Sequence, residues 1–274
     1  MFLIPGVEIG EVPQTPATPL TAKLTPKADR ALLLHALRLG YPVGYAQEQD
    51  GLVIQNIVPV HKLETQQISS SSKVELEMHT ETAFHPHMPH WVLLLCMRGD
   101  SKAETTYAIK DEILEKLDDS VISVLKTDSF YTTIDDSFRT KNEPNAFIRK
   151  QILSDDEQKF IYDSSAMKPL SEDAERALAL LGEAVIKSQR SIVLQTGDLM
   201  IIDNYTMVHG RKPFQARYDG TDRWLKRCLV VDHLPMQDMS GGVIDTRLEP
   251  YGMSELELSD ASIAQWIEQQ TSNL

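Results

Sequence analysis

Four runs of apolar residues have the length and composition of β-strands. GLVIQNIVPV at 51–60 is rich in β-branched residues and is bounded by glycine and proline, which is typical of a strand. WVLLLCM at 91–97 is apolar throughout, which predicts a strand buried on both faces. SIVLQTGDLMIIDN at 191–204 predicts a strand, a Thr-Gly-Asp turn and a second strand. WLKRCLVVDHL at 224–234 predicts a further strand after a loop at 205–222.

Helical spacing of apolar residues is found in three other segments. ADRALLLHALRL at 28–39 has leucines and alanines at this spacing, and Gly40 supplies a stop signal. Residues 103–126 combine charged and apolar positions in a pattern that predicts a surface helix. Ser171 is a suitable N-cap for a third helix, whose apolar stripe continues to Lys187.

This order of elements predicts a mainly β protein with flanking helices, of the α+β class. Strands from distant parts of the chain would fill the two halves of a β-sandwich or barrel. We expect one domain over 1–274, with a proline-rich extended N-terminal segment at 1–27. Residues 127–150 lack a clear period and are a candidate lid, whereas 253–274 contain a predicted amphipathic C-terminal helix.

Composition narrows the classes of partner. The chain has 274 residues, 42% of them hydrophobic, and a formal charge of −13. This charge repels phosphate backbones and anionic lipids, so we expect a small-molecule ligand and neither nucleic acid nor membrane partners. The N-terminus has no basic region before its apolar run, which predicts neither a signal peptide nor an anchor. Cys96 and Cys228 lie in apolar runs, which favours reduced thiols in a cytoplasmic protein over a disulfide between them.

Four of the eight histidines lie within residues 74–100. His79 and Glu81 are two residues apart, which on a strand places both side chains on one face. Two histidines and one carboxylate are the ligand set of non-haem Fe(II) sites with open coordination positions. His209, after an apolar strand, is the candidate third ligand. The pair alone is weak evidence, because this composition predicts about one His-x-Asp/Glu by chance.

A rival interpretation uses the other histidines of this segment. His85, His87 and His90, together with Glu81, have the residue types of a zinc site or of a cupin metal site. The simpler alternative for His85 and His90 is a polar rim beside the strand, or a partner that fixes the tautomer of a metal ligand.

Two arginines follow the histidines in the second half of the chain. Alternation along RWLKRCLVV places Arg223 and Arg227 on one face of a strand, together with two leucines. If this face is buried, each guanidinium requires an anion, such as the carboxylate of a small molecule. The alternatives are an exposed face, or internal ion pairs with acids such as Asp203 or Asp222.

Four strings together resemble the clavaminate synthase-like Fe(II)/2-oxoglutarate oxygenases of the TauD-like superfamily, which include amino-acid β-hydroxylases. The strings occur in the order of the family's blocks and cover most of residues 28–232. They are LGYPVGYAQEQDGLVIQNIVPV at 39–60, ISSSS at 68–72, HTETAFHPHMPHWVLLLCMRGD at 79–100 and GDLMIIDNYTMVHGRKPFQARYDGTDRWLKR at 197–227.

The resemblance implies a double-stranded β-helix, or jelly roll, that binds iron, 2-oxoglutarate and O₂. It implies that the iron ligands are His79, Glu81 and His209. It also implies that Arg223 binds the distal carboxylate of 2-oxoglutarate with the help of a threonine. Thr106 is the first candidate for this threonine, and Thr105 is nearly as good.

The same resemblance suggests how a substrate is held. Arg227 would bind the α-carboxylate of an amino acid, and Gln47, Gln49 and Ser69 are candidate contacts to its backbone. Relatives that act on arginine resemble one another in an Asp-x-Asp pair before the long helix. Here only Asp163 of that pair remains, so a neutral side chain is as well supported as a cationic one.

The sequence therefore predicts a 2-oxoglutarate-dependent hydroxylase of a free amino acid, or of a small amino-acid-derived metabolite such as a cyclic dipeptide, in antibiotic or other specialised biosynthesis. Desaturation or cyclisation at the same iron is the nearest alternative, since both begin with the same hydrogen abstraction. A cupin-type metal protein and a catalytically silent binding module are the alternatives from other classes.

Overall fold

Most regular structure in this protein is β-strand. The structure, a computed structural model, describes residues 1–134, 138, 147–240 and 242–245. Its strands are β1 (Phe2–Ile4), β2 (Tyr41–Val43), β3 (Ile54–Ile57), β4 (Leu76–His79), β5 (Trp91–Arg98), β6 (Thr105–Ile109), β7 (Phe130–Thr133), β8 (Phe147–Lys150), β9 (Met167–Pro169), β10 (Arg190–Ile192), β11 (Leu199–Asp203), β12 (Met207–Arg211), β13 (Trp224–Val231), β14 (Met239–Ser240) and β15 (Val243–Ile244). Its helices are α1 (Pro26–Ala36), α2 (Lys110–Leu114), α3 (Asp119–Leu125) and α4 (Glu172–Ser188). The predicted class, mainly β with flanking helices, is confirmed.

The first sheet is antiparallel, with the order β1-β11-β5-β13, and both β2 and β3 pair with β13. Alternate residues of β5 belong to two apolar clusters. Val92 and Leu94 lie in the core between the sheets, whereas Leu93 and Leu95 pack with α1. The prediction of a strand buried on both faces is therefore confirmed.

The second sheet has the order β10-β6-β12-β4 and is also antiparallel. Tyr107 and Met207 join the core that contains Leu94 of the first sheet. Ala108 and Val208 lie on the opposite face, in a cluster with α3 and α4. The two sheets thus share one apolar core, and residues of both sheets line the candidate site.

The helices cover the outer faces of the sheets. Ala28, Leu32 and Ala36 of α1 are fully buried at helical spacing, so this prediction is confirmed within a few residues at each end. The hydroxyl of Ser171 accepts a hydrogen bond from the backbone N–H of Ala174 at 3.2 Å, which confirms the predicted N-cap of α4.

Two local predictions are wrong. Residues 103–126 form β6 followed by two short helices, because β6 is held between β10 and β12 and this pairing outweighs the helical charge pattern. The predicted loop at 205–222 contains β12, which carries His209. The two strands predicted at 191–204 are confirmed as β10 and β11, which belong to different sheets.

The candidate lid at 127–150 begins and ends as β7 and β8, which form a small sheet with β9. Residues 135–137 and 139–146 lie outside the described residues, as does the predicted helix at 253–274. Cys96 and Cys228 are free and buried. Within the part of the chain that the structure describes, no helix combines the length and apolar character needed to cross a bilayer. The single domain stays a prediction.

Candidate active site

The pairing of β4 with β12 builds the centre of the site. It places His79 opposite His209, with their ring centroids 4.5 Å apart. β4 ends at His79, so Glu81 reaches the site from the following turn and not from the strand that the sequence predicted. Gly210 allows the close pairing, because a Cβ at this position would lie 2.4 Å from the carbonyl oxygen of Leu76.

One ligand atom from each of His79, Glu81 and His209 lies within 4.8 Å of the others. Nδ1 of His79 donates a hydrogen bond to the carbonyl of Glu77 at 2.8 Å, which leaves Nε2 available as a metal ligand. The backbone N–H of Glu81 donates to Oδ1 of Asn204 at 2.8 Å. These two hydrogen bonds hold His79 and Glu81 in place before a metal binds.

The electrostatics suit a divalent cation. Burial alone would raise the pKa of Glu81, but Arg227, His209 and His79 lower it far below its usual range, so the carboxylate is ionised. Burial, together with His79, lowers the pKa of His209 and favours its neutral imidazole. An ionised carboxylate and neutral imidazoles are the forms that ligate a metal. The three residues therefore fit Fe(II).

The turn after Glu81 is strained. Thr82 has a φ of +54°, which is a rare conformation for a β-branched residue. Such strain persists where the surrounding structure fixes it, and it is frequent at functional sites. Here the strain lies next to a candidate metal ligand.

Arg223, directly before β13, and Arg227, within β13, are both buried and border the candidate metal centre, so the alternative of an exposed face is wrong. Nη2 of Arg223 donates to Oγ1 of Thr105 at 3.2 Å. The hydroxyl of Thr106 instead donates to the sulfur of Met78 at 3.4 Å, on the other face of β6. Burial lowers the pKa of Arg223 to about 10, although Cys96 and Asp100 oppose this shift.

Arg227 has a different environment. Its guanidinium donates to Oε1 of Glu81 at 2.9 Å and to Oε1 of Gln55 at 2.8 Å, and it forms an ion pair with Glu48. Burial opposes the charge of Arg227, but Glu48 and Glu81 outweigh burial and raise its pKa. The internal partners suggested by the sequence, Asp203 and Asp222, form no ion pair with either arginine.

Sequence reasoning missed Glu48. It lies between Gln47 and Gln49, in a segment that was singled out, but its partner Arg227 is 179 residues away. Gln49 borders the cavity that contains the candidate metal ligands. Its side-chain amide, however, is hydrogen-bonded to the backbone of Asn56 at 3.0 and 3.1 Å. Gln47 does not line the cavity. Glu48 itself contacts an arginine of the site.

A cavity of about 840 Å³ joins the candidate metal ligands to both arginines. Ser69 and Asp163 line it, as the predicted substrate contacts would. Oδ1 of Asp163 accepts from the backbone N–H groups of Ser165 and Ala166, both at 2.8 Å. The size of the cavity suits a small metabolite together with a co-substrate.

The rival histidines do not form a metal site. His85 is buried, its Nδ1 accepts from the N–H of His87 at 3.0 Å, and burial lowers its pKa to about 3. His87 is bonded to Asp238, and His90 lies 2.8 Å from Asp232. Among the residues with described side chains, His79, Glu81 and His209 are the one group that could hold a metal. The cupin-type arrangement is therefore wrong.

Two histidines and one carboxylate in a cavity lined by both antiparallel sheets, with two buried arginines beside them, are typical of mononuclear non-haem iron oxygenases. The family model of the taurine catabolism dioxygenase TauD, TfdA family matches residues 23–229. The chain belongs to this family, and it is an enzyme that uses Fe(II), 2-oxoglutarate and O₂.

Individual relatives agree with this assignment. The chain is 33% identical over 234 residues to enduracididine beta-hydroxylase of Streptomyces hygroscopicus, covering 76% of this chain and 68% of the relative. It is 34% identical over 236 residues to clavaminate synthase 2 of Streptomyces clavuligerus, covering 82% and 71%. The crystal structure of an asparagine oxygenase in complex with Fe(II), 2S,3S-3-hydroxyasparagine and succinate is similar, with a TM-score of 0.80, 31% identity and coverage of 88% and 78%. The resemblance to clavaminate synthase-like oxygenases is confirmed.

Proposed function

We propose that this enzyme hydroxylates an unactivated C–H bond of a free α-amino acid in specialised metabolism. The observation that carries the proposal is the ion pair of Arg227 and Glu48, which borders Glu81 inside the cavity. An α-amino acid has a carboxylate and an ammonium group one carbon apart. A buried cation and a buried anion side by side are complementary to both groups.

His79, Glu81 and His209 would hold the iron. When bound, Fe(II) with 2-oxoglutarate and O₂ supplies the oxidant that removes a hydrogen atom from the substrate. The task of the protein is to direct one C–H bond toward the metal and to exclude water.

Arg223 would bind the distal carboxylate of 2-oxoglutarate. The buried guanidinium forms no ion pair with any described residue, so it has an unmet requirement for an anion. We assign the helper role to Thr105 and not to Thr106, because Thr105 lines the cavity and contacts Arg223.

At the other end of the cavity, Arg227 would bind the α-carboxylate and Glu48 the ammonium group. Ser69 and Asp163 would border the substrate's side chain. In this arrangement Gln49 positions Glu48 through its bonds to Asn56 and makes no substrate contact.

A cyclic dipeptide fits less well, because it has neither a free carboxylate nor an ammonium group to match this ion pair. Desaturation or cyclisation stays the alternative outcome on a free amino acid. The mass of the product separates these reactions, since hydroxylation adds one oxygen atom and desaturation removes two hydrogen atoms.

The sheet order supports the inference of a distorted double-stranded β-helix, and the solved asparagine oxygenase with bound hydroxyasparagine supports an amino-acid substrate. A role of 127–150 as a lid would serve the exclusion of water. The cytoplasmic location stays a prediction.

The test has two stages. Fe(II) and then 2-oxoglutarate are added anaerobically to metal-free protein, and the weak visible absorption band of the chelated keto acid is recorded. The proteinogenic L-amino acids, L-ornithine and a cyclic dipeptide are then screened in air for succinate and for a product heavier by one oxygen atom. A free amino acid that meets both criteria supports the proposal. Turnover of the cyclic dipeptide alone would overturn the assignment of Arg227 and Glu48.

A further inference from the structure

A third buried arginine borders the same cavity. Arg211 lies on β12, two residues after His209, and is 2% exposed. The roles proposed for the metal ligands, Arg223 and Arg227 do not explain why Arg211 is buried. A buried guanidinium keeps its charge and therefore needs either an anion or a full set of hydrogen-bond acceptors.

Arg211 is surrounded by hydrogen-bond acceptors and not by an anion. Nη1 donates to the carbonyl oxygens of Ser69 at 3.3 Å and Ser71 at 2.7 Å. Nη2 donates to Oγ of Ser71 at 3.0 Å and to the carbonyl oxygen of Val74 at 3.1 Å. Among the described residues no carboxylate forms an ion pair with it, and burial together with Arg223 lowers its pKa to about 9. The two terminal nitrogens of the guanidinium thus donate to neutral acceptors of one chain segment.

That segment, residues 68–74, is here called the serine segment. It contains no helix or strand, so no regular hydrogen-bond ladder fixes its shape. Ile68, Ser69 and Ser70 nevertheless form part of the cavity wall. Its other backbone ties include the bond from Val60 N–H to the carbonyl of Ser70 at 2.9 Å. The four bonds from Arg211 reach three residues of the segment, and they come from the strand that carries a metal ligand.

We propose that Arg211 is a positioning residue for substrate recognition, which holds the serine segment as one wall of the substrate cavity. This inference rests on the proposed function for the identity of the ligand. The positioning role predicts that losing the hydrogen bonds of the Arg211 guanidinium weakens substrate binding and leaves the binding of 2-oxoglutarate unchanged. A role of the positive charge alone predicts the reverse, because 2-oxoglutarate is a dianion.

The test compares Arg211→Met and Arg211→Lys with Lys212→Met, a control that removes a neighbouring surface cation paired with Glu75. Lysine keeps the charge but cannot serve four separate acceptors. For the most active amino acid of the screen, both Arg211 variants are expected to raise KM about tenfold or more, since hydrogen bonds from a charged group are lost. The anaerobic dissociation constant of 2-oxoglutarate is expected to stay within about twofold of wild type. A substrate KM near wild type in Arg211→Lys would overturn the proposal.

A second measurement needs no substrate. Lys62 precedes the serine segment and Lys73 lies within it, and both are exposed, so trypsin can report on the order of the segment. Cleavage at these two lysines is expected to be faster in both Arg211 variants and unchanged in Lys212→Met. Equal rates in wild type and variants contradict the positioning role, whatever becomes of the proposed function.

Ser71→Ala keeps the proposal testable if the Arg211 variants fail to fold. This variant removes one acceptor of the Arg211 guanidinium, so KM should rise about threefold, the effect of one hydrogen bond. Its tryptic cleavage at Lys73 should also be faster than in wild type. If both quantities match wild type, the proposal fails.

Discussion

The two ends of the cavity surround their arginines with different partners, and the pKa values of the two arginines shift in opposite directions. Arg223, directly before β13, and Arg227, within it, lie four residues apart, and both are buried and line the cavity. Arg227 is surrounded by Glu48 and Glu81, which raise its pKa. Arg223 has a threonine as its hydrogen-bond partner, and burial lowers its pKa to about 10.

This difference separates two kinds of ligand. A cation without an internal anion requires an anionic ligand, which suits the distal carboxylate of 2-oxoglutarate. A cation that is already paired requires a ligand with both charges, because a lone carboxylate would leave Glu48 unpaired. Under the proposed function, Arg223 and Arg227 thus belong to two recognition sites, which differ in the acids that reach them from other segments.

The largest effect is expected from Glu81→Ala, which removes a proposed metal ligand that also contacts Arg227. Losing a direct ligand should exceed the 10- to 100-fold effect of losing an outer partner, so we expect turnover to fall more than about a hundredfold. Iron content after dialysis and succinate formation are the measurements. A variant that keeps its iron and full turnover would remove Glu81 from the ligand set.

Replacing each arginine with methionine tests one end of the cavity at a time. Arg223→Met should weaken the anaerobic binding of 2-oxoglutarate about 30-fold or more, as expected when one partner of a buried charge pair is lost. Arg227→Met should raise the KM of the amino acid by a similar factor and leave 2-oxoglutarate binding within about twofold. If both variants lose 2-oxoglutarate binding equally, the two ends are not separate sites.

Glu48→Gln tests the acidic half of the Arg227 end. The amide keeps a hydrogen bond to Arg227 but loses the charge that would attract an ammonium group, so the KM of the amino acid should rise about tenfold. The KM of the matching acid without an amino group is the control. Glu48→Gln should not weaken that analogue, and an equal loss for both compounds would exclude an ammonium contact.

The smallest expected effect distinguishes the two adjacent threonines of β6. Thr105→Val removes one neutral hydrogen bond to Arg223, and the dissociation constant of 2-oxoglutarate should rise about two- to tenfold. Thr106→Val changes the other face of the strand and should leave this constant unaltered. The opposite order of effects would restore the original assignment to Thr106.

Sequence reasoning succeeded where one rule of geometry was sufficient. Alternation along RWLKRCLVV correctly placed Arg223 and Arg227 on one side, where both line the cavity, because successive side chains of a strand point to opposite sides. The spacing of His79 and Glu81 also proved informative, although Glu81 lies in a turn and not in the strand.

The failures are concentrated at the site itself. β12 was missed because its sequence, MVHGR, carries His209, Gly210 and Arg211 at positions where an ordinary strand has apolar residues. Glu48 could not be found, since its contact with Arg227 spans 179 residues. Thr105 and Thr106 are equivalent in sequence, and only the pairing of β6 shows which hydroxyl contacts Arg223.

The ion pair of Arg227 and Glu48 has a consequence for co-substrate tolerance. A second molecule of 2-oxoglutarate entering the substrate end would have to displace Glu48 from Arg227 and leave two like charges facing each other. In the proposed arrangement, the resting enzyme would thereby exclude the acid it consumes from the place reserved for the amino acid. Excess 2-oxoglutarate should consequently cause little competitive inhibition, and Glu48→Gln should make the enzyme sensitive to it.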